Sequence, residues 1–163
     1  LKDIFADTDV ATGITISGPG KEYALEAVAK RIDSRESDDI DKETIVNAVS
    51  TQLSVNFDDT KKLLLTGDSS FEALKDNLKG HSAIQLPHHG KLVQAEEIFD
   101  VKDNYTVYFV SDNTGDTNGG SDKLVEKYKR GHVIYNTRNG DQACECSTFR
   151  VTTSVGSYLR GRD

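Results

Sequence analysis

Methionine is absent from this chain, even at its first position, which predicts a segment of a longer polypeptide or a processed product. Cysteine is nearly absent too. Cys144 and Cys146, the only two, stand one residue apart in a stretch that reads as a strand. A disulfide between such neighbours would be strained, and two thiols without a second pair make a poor structural zinc site. Both are therefore expected to be free thiols in a reducing compartment, the cytoplasm. No apolar run approaches the roughly eighteen residues of a membrane span, and Leu1-Lys2-Asp3-Ile4 lacks the basic-then-apolar order of a signal peptide. Excess positive charge is missing as well. The formal net charge of -7 argues against broad nucleic-acid binding, although a metal centre can hold a phosphodiester against an acidic background. Internal repeats and a domain boundary are not visible, and 163 residues with 36% hydrophobic content suffice for one domain with a core.

What is present centres on two short stretches. Leu63-Leu64-Leu65 reads as a buried strand that runs into Thr66-Gly67 and ends on the carboxylate of Asp68. Ser70 can cap a helix over residues 71–78, with Phe71, Leu74 and Leu78 on one face. A second apolar run, Ala83-Ile84-Gln85-Leu86, ends on Pro87-His88-His89-Gly90. Strand, helix and strand at this spacing predict a parallel crossover, which would bring Asp68, His88 and His89 to one sheet edge. A carboxylate and imidazoles gathered at strand ends form half of a metal site. Asp68 has a structural alternative, because Asp after a Gly turn also caps helices.

Elsewhere, residues 13–20 read as a strand and turn, residues 21–32 as a helix, and residues 33–43 as a charged, solvated loop or insertion. The run from Ile45 to Phe57 contains a half-buried strand that forms an antiparallel hairpin with the Leu63 strand. Residues 92–99 are expected as a helix, 105–110 as a strand, 111–121 as a long loop and 122–130 as a helix closed by Gly131. Strands over 132–135 and 146–152 follow, with residues 156–163 a frayed tail. His81 and His132 fall outside the constellation and are expected to serve the packing.

Gly13-Ile-Thr-Ile-Ser-Gly-Pro, the charged insertion, Asn47-x-x-Ser50, Leu63-Leu-Leu-Thr-Gly-Asp68 and Leu86-Pro-His-His-Gly90 together resemble the C-terminal half of metallo-β-lactamase-fold hydrolases of the competence-protein (ComEC-like) group. The likeness covers about residues 13–140. It implies an α/β fold, an αββα sandwich of which residues 1–163 would form about the C-terminal half. It further implies a site of two zinc ions, or manganese in their place, with Asp68 bridging them and His88 or His89 as a ligand. The other imidazole, His89 in the assignment adopted here, would donate to the developing oxyanion or leaving group, while Asn47 and Ser50 occupy the place of a further ligand or substrate-binding motif. Lys91 stands where the family usually has Ser, positioned to meet a phosphate or simply to be solvated. The His-x-His-x-Asp-His cluster of the family's N-terminal half and its later Gly-His-Pro have no counterpart in this sequence.

The resemblance thus implies a metal-dependent hydrolase of phosphodiesters, nucleic acid among them, completed by a missing N-terminal half. The metals of such a site activate water near neutral pH and polarise the scissile oxygen. The alternative is a non-catalytic, degenerate half retained as a scaffold or as the interface of a homo-oligomer. Neither reading needs a membrane.

Overall fold

The computed structural model describes residues 8–33, 39–102, 105–112, 132–140, 142–146 and 149–153. The expected helix over 122–130 with its Gly131 cap, most of the loop over 111–121 and the tail over 156–163 lie outside them.

Seven strands build one mixed α/β sheet in the order β1-β2-β5-β6-β7-β8-β9. Its members are β1 (Thr8–Ala11), β2 (Ile14–Gly18), β5 (Gln52–Asn56), β6 (Lys62–Leu65), β7 (Ala83–Gln85), β8 (Val107–Val110) and β9 (Val133–Asn136). The first four pair antiparallel, with Leu53 opposite Leu65 and Val55 opposite Leu63 as the expected hairpin requires. From β6 to β9 every pairing is parallel. A two-stranded ribbon, β3 (Asp39–Ile40) with β4 (Glu43–Thr44), and a hairpin of β10 (Gln142–Cys146) with β11 (Phe149–Thr153) stand outside the sheet.

Because the period of a strand is two, the two faces of the sheet separate cleanly. One face carries Leu64, Ile84, Tyr108 and Val110, all fully buried. Over it lie the short helix α3 (Phe71–Leu74) and α4 (Leu92–Val101), which contribute Leu74, Ala95, Ile98 and Phe99, while Leu78 follows the 3-10 turn Lys75–Asn77. Each buried Leu or Ile contributes about 1.5–3 kcal/mol, so this layer supplies most of the cohesion. The opposite face holds Ala83, Val107 and Phe109 with Leu63 and Tyr135, a cluster that among the described residues is drawn from strands.

Helix α1 (Lys21–Asp33) sets Glu22 at its N-terminal turn and Lys30 and Arg31 at its C-terminal turn, which suits the helix dipole. Its Ala27 packs with Ile40, Ile45 and Ala48 in a small separate core. That core joins the β3–β4 ribbon to the single-turn helix α2 (Ile45–Ala48). In the sequence, residues 45–48 fall within the run that contains a strand, without an element of their own. Thr44 caps them instead, its hydroxyl accepting from the Asn47 N–H, and the strand begins only at Gln52. Among the described residues, no helix is long and apolar enough to cross a membrane.

Candidate functional site

In a parallel sheet the strands all end at one edge, and ligand sites in α/β folds gather there. Here that edge collects the turn after β6 (Thr66-Gly67-Asp68), the turn after β7 (Pro87-His88-His89-Gly90), Ser111 and Asp112 after β8, and the turn before antiparallel β5 (Asn47 to Ser50). The expected crossover is therefore real: β6 and β7 are parallel and flank α3 in sequence.

The two principal turns are stitched together by backbone. The His88 N–H donates to the Gly67 carbonyl at 3.2 Å, and the Thr66 hydroxyl donates to the Gln85 carbonyl at 3.0 Å. Gly67 has φ +56, and a Cβ there would lie 3.0 Å from the Ser50 Cβ. Glycine is required on both counts. The same close approach sets Ser50 against the Thr-Gly-Asp turn, and Ser69 Oγ, 2.7 Å from the Thr66 carbonyl and 3.1 Å from that of Ser50, bridges the two segments.

His88, His89 and Gly90 are three successive residues at positive φ, at 49°, 55° and 77°. For two non-glycine residues this conformation costs on the order of 1–3 kcal/mol each. The turn is held by the N–H groups of Gly90 and Lys91, which donate to the Pro87 carbonyl at 3.0 and 3.2 Å. Each ring is also held. His88 Nδ1 lies 2.9 Å from Glu43 Oε2, and His89 Nδ1 bonds the Ser111 carbonyl. The ring centroids are 6.1 Å apart at an interplanar angle of 71°.

Glu43 comes from the stretch read as a solvated loop. Residues 39–43 of that stretch, with Thr44, instead fold into the β3–β4 ribbon, where Glu43 is only 2% exposed. Asp41 and Lys42 form its two-residue turn with φ of 52° and 66°, the primed geometry that matches strand twist. The ribbon is latched on four sides. Tyr23 donates to the Asp41 carboxylate at 2.6 Å, Gln94 Nε2 donates to the Asp41 carbonyl at 3.0 Å, and Lys42 pairs with Glu97 at 2.7 Å. Lys91 Nζ donates to the Lys42 carbonyl at 2.7 Å and lies 2.8 Å from Glu43 Oε1 as an ion pair. Burial, and then the hydrogen bond to Asp41, push the Tyr23 phenol well above its ordinary range, so it remains a donor at neutral pH.

The structure therefore brings His88, His89, Lys91, Asp68 and Ser50 to one edge, with Asn47 in the adjoining α2. Lys91 is engaged by Glu43 and the Lys42 carbonyl. Asn47 meets Thr44 Oγ1 through its N–H and Ser50 N through its carbonyl. The N-cap of α3 is Ser70, whose hydroxyl accepts from the Ala73 N–H, so helix capping does not account for Asp68. Among the described residues the Asp68 carboxylate has no hydrogen bond or ion pair, and no three His, Cys, Asp or Glu side chains converge closely enough to hold a metal ion. His81 and His132 lie in the packing: His81 Nε2 is 2.9 Å from Ser54 Oγ, and His132 stacks on Phe99 at 4.3 Å.

Sequence reasoning missed Glu43, Gln94 and the Ser111 carbonyl. For Glu43 the sole signal was Ile40, a lone apolar residue in a charged run. Compared with family models, with curated proteins and with solved structures, the chain gives no match.

Proposed function

We propose that this chain is one half of a metal-dependent hydrolase of the metallo-β-lactamase type, acting on phosphodiesters in a reducing cytoplasm, with Asp68, His88 and His89 as its contribution to the metal site. The observation that carries this reading is the His88-His89 turn. Two successive imidazoles are held in a strained conformation at the C-terminal edge of a parallel sheet, the edge that also carries a carboxylate, Asp68, with no structural partner among the described residues. Strain of this kind persists where surrounding structure over-determines it, and it clusters at functional sites.

The donor chemistry fits a metal in part. Both Nδ1 atoms are occupied by oxygen acceptors, the arrangement that orients histidine ligands and leaves Nε2 to the ion. The three side chains share an edge without converging closely enough to hold an ion, and three donors fall short of what two zinc or manganese ions need, so on this reading the remainder belongs to a segment that supplies the second sheet. The metals would supply Lewis acidity and activation of water. Within this chain, His88 and Asp68 would bind, His89 would bind or donate a proton at Nε2, and Asn47 and Ser50 would line the approach. Lys91 already neutralises Glu43 and can reach a substrate phosphate only by leaving it.

The test is hydrolysis of a nitrophenyl phosphodiester and of single-stranded DNA by the natively purified protein, with zinc or manganese added. Activity that is abolished by a chelator and by His89→Ala is the expected result. Metal-independent activity, or none in a preparation containing the second sheet, would contradict it.

A second reading has its own support, because Glu43 engages both His88 and Lys91 and could use them purely as structural partners. On that reading the chain is a scaffold or homo-oligomeric module. His88→Gln would then lower stability without any change in metal content.

A further inference from the structure

We propose that Glu43 is a positioning residue that fixes His88 as its Nδ1–H tautomer, so that with His89 held alike by Ser111 the turn presents two Nε2 lone pairs. The function of this arrangement rests on the hydrolase reading above; the tautomers themselves do not. The assignment follows from what each partner can be. A backbone carbonyl only accepts, so the nitrogen that meets the Ser111 oxygen must carry the proton. The Glu43 carboxylate, whose Oε1 pairs with the Lys91 ammonium at 2.8 Å, likewise offers acceptor oxygens. His88 Nδ1, 2.9 Å from Oε2, is therefore the donor. In each neutral ring the other nitrogen is left as an acceptor, because the hydrogen bond at one nitrogen sets the state of the other.

Delivery of this carboxylate is specific. Glu43 sits opposite Ile40 in the β3–β4 register, directly after the Asp41–Lys42 turn. Its burial to 2% exposure is shared with a ribbon that Tyr23, Gln94 and Lys91 each grip independently. An imidazole free in water favours the Nε2–H form, which would point a proton rather than a lone pair from the turn. Glu43 and the Ser111 carbonyl reverse that preference at both rings.

The experiment is imidazole nitrogen NMR on the full, metal-free, isotopically labelled chain, at a pH about two units above the ordinary histidine pKa of about 6.5. His88 and His89 are both expected to show a pyrrole-type Nδ1 and a pyridine-type Nε2. Glu43→Ala should lose the Nδ1–H form at His88 and keep it at His89. Glu43→Gln, whose amide oxygen still accepts, should restore it, which a merely space-filling role would not explain. Wild-type His88 with its proton on Nε2 overturns the inference, and that result needs no variant to fold. So does a His88 that stays Nδ1–H in Glu43→Ala. Failure of a preparation containing the second sheet to take up zinc, with both rings in the Nδ1–H form, would sink the hydrolase reading and leave the tautomer assignment intact.

Discussion

Among the described residues, two turns each place two consecutive non-glycine residues at positive φ: Asp41-Lys42 and His88-His89. In the first, the conformation is the ordinary solution to a local problem. A two-residue connection between antiparallel strands needs left-handed residues, and Asp is among the side chains that tolerate them. The second turn links a strand to a helix, where nothing about chain reversal demands two left-handed imidazoles, and Gly90 follows them in the same conformation. The first turn is explained by its topology and the second is not. The two are joined through a single carboxylate, Glu43, which closes the hairpin and holds His88.

The sharpest way to break that link is Glu43→Ala. It strips a buried carboxylate from His88 and Lys91, whose side chains are 23% and 29% exposed. Removing one partner of a fully buried pair costs about 3–5 kcal/mol; because both remaining groups reach solvent, a loss of about 2–4 kcal/mol is expected in urea unfolding. Next comes Gly67→Ala, which forces a left-handed alanine and a Cβ 3.0 Å from that of Ser50. A loss of about 1–3 kcal/mol is expected, measured by the same unfolding midpoint. Paired glycine substitutions sharpen the comparison itself. His88→Gly with His89→Gly relieves strain but forfeits the Glu43 bond, leaving stability within about 1 kcal/mol of wild type while metal uptake disappears. Lys42→Gly relieves the other turn and gives up only a surface ion pair, so it should stay within about 0.5 kcal/mol and leave metal uptake unchanged.

The smallest effect concerns pH. Burial holds the His81 imidazole below its ordinary range, with Ser54 as its hydrogen-bond partner. Both states are neutral above the unfolded value near 6.5. As pH falls below that value the unfolded chain takes up the proton first, so stability declines until the folded pKa is passed. Unfolding midpoints at pH 7.5 and 5.5 should therefore differ less in His81→Gln than in wild type.

Much of the fold was legible because it is local. The alternation in Leu53 and Val55 and the apolar run at residues 63–65 gave the β5–β6 hairpin, and Gly67 with Ser70 gave the crossover. Tyr108-Phe109-Val110 announced β8 by strand propensity. The Asp68 and His88-His89 turns were readable for the same reason, as polar residues placed directly at strand ends. What escaped was non-local. Glu43 and His88 are 45 residues apart, and nothing in a run of charges distinguishes a carboxylate that will be buried from its solvated neighbours. The helix over residues 45–48 went unread because a single helical turn has too few positions for a period to show; the Thr44 cap and Ala27 packing decide it. The strand expected over 146–152 corresponds to β11, which begins at Phe149 and pairs with β10 rather than with the sheet.

The most direct test of the central claim is a zinc-binding titration of the intact natively purified protein, compared with its His88→Ala/His89→Ala variant after both are shown to fold. Saturable zinc uptake by the wild type that falls at least tenfold in affinity in the variant, the loss expected when ligands of this kind are removed, is the predicted result. Equal affinity in the two proteins, or no uptake by the wild type, would contradict it and leave the strained imidazole pair as a structural partner of Glu43.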